Sequence, residues 1–176
     1  ALLKGKDGWP DKWLPPGALI RFAEYYGWNG KENEGVRLES NRVALEVLRR
    51  EASMDLPPMD FRVGDPQMWA QVDGPSPQQR MKEATAGRFM LRQGRRDRKA
   101  NYTEALYRFG GEDLLTPSGA IENTPLFFAT ENCFHFWRTV PTLHLDSTDP
   151  EKGPDTRGQE DHVYDEVSFA SSQFSR

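Results

Sequence analysis

The chain has 176 residues, 27 acidic against 23 basic for a net charge of −4, with 36% hydrophobic and 11% aromatic content. That length suits one domain with a real core, residues 1–176, and the acid excess excludes a uniformly basic nucleic-acid coat while leaving room for a local basic patch. A single cysteine, Cys133, excludes an internal disulfide framework, and no apolar run or leader-like N-terminus is present, so the expectation is a soluble intracellular protein.

In chain order, residues 17–28 (GALIRFAEYYGW) are rich in strand formers and end at the turn WNGKENEG, which predicts a strand belonging to a hairpin. Residues 39–52 place Val43, Ala44, Val47 and Leu48 at helical spacing, with Ser40 as the N-cap. A short strand over 59–66 stops at Asp65-Pro66. A helix follows from Ser76 to Gly87, with Pro77 in its first turn. The sequence then predicts a strand at 88–93, a helix at 97–110 with Tyr102, Leu106 and Phe109 on one side, and a strand at 125–130. A short helix at 131–141 is expected to stop at Pro141, a loop rich in Gly, Pro and Asp covers 143–159, and a last helix begins near Asp161. Alternation of this kind implies an α/β sandwich with a mixed sheet.

Two places carry candidate chemistry. Functional groups in such sheets gather at the carboxyl ends of strands, and Asp65 sits at one; Asp-Pro is also an ordinary way to stop a strand. The stretch RGQEDHVYDEVSFA, residues 157–170, puts Asp161 and Asp165 four apart, with His162 and Glu166 beside them. Acidic groups stabilise a helix N-terminus, which is one reading. Carboxylates at i and i+4 also share a face and can hold a divalent cation, which is the other.

Three stretches occur together in order: GALIRFAEYYGWNGKENEGVRL, FRVGDPQMWAQVDGPSPQQRM and PLFFATENCFHFWRTVPTL followed by EDHVYDEVSFA. The set resembles the C-terminal nuclease domain of the large terminase subunit of tailed bacteriophages, the DNA-packaging motor protein, over roughly residues 14–172. The resemblance implies an RNase H-like mixed sheet flanked by helices. It also implies a two-metal endonuclease using Mg2+ or Mn2+ to cut concatemeric double-stranded DNA in the host cytoplasm. Asp65, Asp161 and Asp165 would be the metal-holding, catalytic carboxylates, with Asp161 slightly favoured over Asp165 as principal ligand and both kept. The implied partners are DNA, the terminase ATPase domain, the small terminase subunit and the portal protein. The alternative is a DNA-binding or portal-docking module without activity of its own.

One departure stands out. The family carries another catalytic Asp on a preceding first strand, whereas residues 1–17 read as the end of that strand and its turn. Asp7 and Asp11 lie there without an apolar strand around them. The first strand is therefore expected to be truncated, and no G-x-x-x-x-G-K-[ST] segment for the ATPase domain occurs.

Residues 92–102 (RQGRRDRKANY) concentrate positive charge. Arg92, Arg95, Arg96, Arg98 and Lys99 could contact DNA phosphates, or form a solvated face. Cys133, His135 and His144 lack zinc spacing, and Cys133 reads as a small buried hydrophobe. His162 reads as a solvent-facing side chain or an outer partner of the metals. Arg80 and Lys82 read as surface, although either could reach a phosphate. Trp13, Trp28, Trp69 and Trp137 read as packing.

Overall fold

A computed structural model describes residues 2–3, 12–31, 34–55 and 59–174; Asp7 and Asp11 lie outside them. Among the described residues the elements run β1 (Leu2–Leu3), β2 (Lys12–Trp13), β3 (Leu19–Arg21), α1 (Ser40–Ser53), β4 (Arg62–Gly64), α2 (Pro77–Ala84) and β5 (Leu91–Gln93). They continue with α3 (Arg98–Gly110), β6 (Glu112–Leu115), β7 (Ile121–Thr124), β8 (Phe127–Ala129), α4 (Phe134–Thr139) and α5 (His162–Ser172). Short 3-10 turns cover Pro66–Trp69, Val140–Thr142 and Pro150–Lys152. No helix of the described residues is long and apolar enough to cross a membrane.

The strands pair as β1 with β2 and β6 with β7, antiparallel, and β3 with β8 and β4 with β5, parallel. Hydrogen bonding is thus divided among small two-stranded sheets, and the architecture is mixed α/β with five α-helices among the described residues.

The early strand departs from expectation. Only Leu19–Arg21 of residues 17–28 is strand, and it lies in parallel against β8, with Leu19 opposite Phe127. The hairpin contact in this region is the antiparallel bridge between Trp28 and Gly35. Glu24 explains the break. Its carboxylate accepts the backbone N–H groups of His135 and Phe136 at the start of α4, so the chain turns toward that helix instead of continuing the ladder. Those amides would otherwise lack partners.

Helix ends follow local chemistry. α1 starts as expected, but Glu39 in extended conformation is its N-cap in place of Ser40, and its side chain makes no capping bond. Ser76 Oγ caps α2 by accepting from Gln79 N at 3.2 Å, with Pro77 behind it. Asp97 Oδ1 caps α3 through Ala100 N at 3.0 Å. The chain does not stop at Pro141 but tightens into the Val140–Thr142 turn, which Pro tolerates in a first turn.

Two apolar clusters form the core. Ala44, Met81 and Phe89 bring α1 onto α2, with Val43, Val47, Leu48, Met68 and Leu91 around them. Cys133, Phe136, Val163 and Val167 join α4 to α5, with Phe109 and Phe127 packed alongside. Cys133 is fully buried, as a small hydrophobe. Trp137 is half exposed while its indole N–H donates to Thr130 O.

Candidate metal centre between β4 and the last helix

Asp65 follows β4 directly and opens the Pro66–Trp69 turn. Its Oδ1 accepts from Gln67 N at 2.6 Å. Asp65 thus stops the strand, as the turn reading expects, and also lines a cavity. From the other side, α5 presents Asp165 in its first turn, and the helix packs against β4. Asp65 and Asp165 together line an open cavity of about 630 Å³ with His162, Glu166, Phe61 and Phe169. They also share a smaller one of about 270 Å³ with Arg95, Arg96, Arg98 and Asn101.

Gly94 sets how closely the two sides meet. Its N–H donates to Gly64 O at 2.9 Å, next to Asp65. A Cβ placed there would lie 2.8 Å from the Phe169 ring of α5 and 3.2 Å from Gly64 O. A side chain at 94 would wedge the strand end away from the helix.

Electrostatics distinguishes the three carboxylates. Asp165 is pushed up to about 6, first by burial and then by the carboxylate of Asp161, with Asp65 adding to the effect and Arg98 opposing it. Asp161 is the N-cap of α5 and Asp165 lies in its first turn, where acidic groups favour a helix N-terminus, although the Asp161 side chain makes no capping hydrogen bond. It is 6% exposed and lies one turn before Asp165, lining neither of the two cavities. Its Oδ1 is 3.9 Å from His162 Nδ1, and His162 itself is exposed. Glu166 reaches into the larger cavity, where crowding by protein atoms raises its carboxyl and Arg21, at 3.0 Å, pulls the other way.

Arg21 and Glu166 were not singled out for chemistry from the sequence. Arg21 ends β3, so the strand-end rule that found Asp65 also applies to it. Its guanidinium bridges Glu24 at 3.3 Å and Glu166 at 3.0 Å.

The basic segment is split by its contacts. Arg95 and Arg96 line the smaller cavity, and Arg95 has only a 4.0 Å pairing with Asp97. Arg92 lies over the Phe61 ring at 4.5 Å. Arg98 donates to Lys152 O and Pro154 O, and Lys99 pairs with Asp149 at 3.2 Å and Glu151 at 3.0 Å. Those two cations hold the 146–154 loop against α3. Arg80 and Lys82 are exposed.

Hard divalent cations prefer oxygen donors and take few protein carboxylates, keeping waters and phosphate oxygens. Asp65 and Asp165 fit that donor set. Among the described residues, no three His, Cys, Asp or Glu side chains converge on one point. Comparison with protein-family models, with curated proteins and with solved structures found no match for this chain.

Proposed function

We propose that the chain is the metal-dependent nuclease domain of a large terminase subunit, with an RNase H-like fold, acting on concatemeric double-stranded DNA. The observation that carries this reading is the meeting of Asp65, at the end of a parallel strand, with Asp165, on the first turn of the last helix, across two shared cavities. The ordered resemblance described above supports it independently.

In this reading Asp65 and Asp165 hold Mg2+ or Mn2+, and Asp161 stands behind Asp165 and keeps the site's charge negative. Ions held there would supply Lewis-acid chemistry, activating a water and stabilising the leaving oxygen of a phosphodiester. The chain's own groups do the rest. The Gln67 N–H fixes Asp65, Arg95 and Arg96 at the cavity offer charge to a phosphate, and the raised proton affinity of Asp165 gives a cation a buried negative site to neutralise. Phosphate contacts of this kind carry no base information, so the isolated domain should cut with little sequence preference.

The partners proposed with this reading are the ATPase domain, the small subunit and the portal protein, and the place is the host cytoplasm. A second reading for this chain alone is a DNA-binding or docking module that grips through the basic segment, where Arg95 and Arg96 line a cavity.

The test is supercoiled plasmid with Mn2+, using this chain and a form extended upstream through a first strand, each with and without Asp65→Ala. Cutting by the extended form, lost in Asp65→Ala by at least about a hundredfold, is the expected result. DNA binding without cutting by the extended form under any divalent metal would leave the docking module standing instead.

A further inference from the structure

Asn101 lies in the first turns of α3, is 4% exposed, and lines the smaller cavity beside Asp65 and Asp165. Its Nδ2 donates to Arg95 O at 2.8 Å, but its Oδ1 is buried without a partner. The amide cannot simply be turned over. With the oxygen facing Arg95 O, two acceptors would meet and the bond would be lost. Its orientation is therefore fixed by the backbone, with a carbonyl oxygen left over.

A buried acceptor without a donor is costly, because the hydration it lost on folding is not replaced. Such a group calls for something that attracts oxygen lone pairs. The other groups at this cavity narrow the choice. Asp65 and Asp165 are acceptors as well, and among the described residues no donor at the cavity reaches the Asn101 oxygen: the buried Tyr164 hydroxyl there is likewise without a partner, and Arg96 makes no bond to it. Arg95 pairs loosely with Asp97, and Arg98 is engaged by Lys152 O and Pro154 O. Three oxygen-bearing side chains, two charged and one neutral, thus border one small space. Amide carbonyls are ordinary ligands of hard divalent cations, alongside carboxylates.

We infer that Asn101 Oδ1 is a third, neutral oxygen ligand of a divalent cation held by Asp65 and Asp165, directly or through one metal-bound water. This rests on the metal-centre reading above and adds to it a residue from α3. The same side chain then has two tasks. Its nitrogen holds the turn carrying Arg95 and Arg96, and its oxygen faces the ion, so the phosphate-facing arginines and the metal share one anchor.

The experiment is Mn2+ titration calorimetry on the full chain, its Asp65→Ala variant and its Asn101→Ala variant, with thermal melts taken without metal. The carbonyl carbon of the Asn101 side chain in the unsubstituted chain is followed by NMR as Mg2+ is added. The expected result is loss of the site in Asp65→Ala, about tenfold weaker Mn2+ binding in Asn101→Ala, and a Mg2+-dependent shift of the Asn101 carbonyl signal. If Asn101→Ala does not fold, the NMR signal decides alone. Mn2+ affinity in Asn101→Ala within twofold of the parent, with an unmoved carbonyl signal, overturns the inference but leaves the Asp65-dependent site intact. A parent chain that takes up no Mn2+ at all overturns the metal centre and the inference together.

Discussion

The half of the molecule built on Ala44, Met81 and Phe89 and the half built on Cys133, Phe136, Val163 and Val167 contribute to the site by different means. The first is an ordinary apolar contact of α1 on α2, and it delivers Asp65 by geometry, at a strand end pinned by one amide. The second buries charge along with its apolar groups. Glu160 and Asp161 are both buried, Glu24 serves the amides of α4, and Arg21 bridges to Glu166. Asp165 acquires its character from that crowding. One half of this centre is positioned and the other is electrostatically tuned, and Gly94 joins them.

The comparison breaks first at the apolar groups. Phe136→Ala should cost about 3–5 kcal/mol in denaturant unfolding, because the ring is buried. Met81→Ala in the other cluster should cost about 2–3 kcal/mol. Equal losses would mean that the two clusters are packed equally tightly around these side chains.

Next comes the joint. Gly94→Ala should destabilise by about 1–3 kcal/mol and weaken Mn2+ uptake, since the new Cβ meets Phe169 at 2.8 Å. Adding Phe169→Ala should restore uptake, and a failure to do so would place the constraint at Gly64 O instead.

Tuning is tested by pH. Asp165 binds its proton more tightly folded than unfolded, so between about pH 4 and 6 the native state holds the extra proton and metal-free stability falls as pH rises. Allowing for solvent screening of a partly exposed group, the loss is about 1–2 kcal/mol. Asp165→Asn should flatten that segment of the profile, and an unchanged slope would locate the titration elsewhere. The smallest effect belongs to Lys99→Ala, which removes the cation shared by Asp149 and Glu151 at the surface and leaves Asp149 its pairing with Lys152. The melting temperature should drop slightly at low salt and not at all at high salt.

Elements with their own punctuation were legible in the sequence. Ser76-Pro77 opened α2, Asp97 opened α3, and the last helix began beside Asp161 as expected. The β6–β7 hairpin went unread because its strands, EDLL and IENT, carry no alternation of apolar and polar residues. The end of β3 was missed because Glu24 answers amides more than a hundred residues away. At the site, the carboxylates were legible as chemistry, while the fixed amide of Asn101 and the charge on Asp165 depend on neighbours brought in by folding.

The amide of Gln67 has one more consequence. By engaging Oδ1 at 2.6 Å it leaves Asp65 its other oxygen, so that in the proposed centre Asp65 would be a monodentate ligand with a set direction. A glutamate at 65 carries the same charge one methylene further out, where it can hold the turn or reach the ion but is too long to do both. Side-chain length at this position thus governs denticity, and retention of charge alone does not preserve the centre.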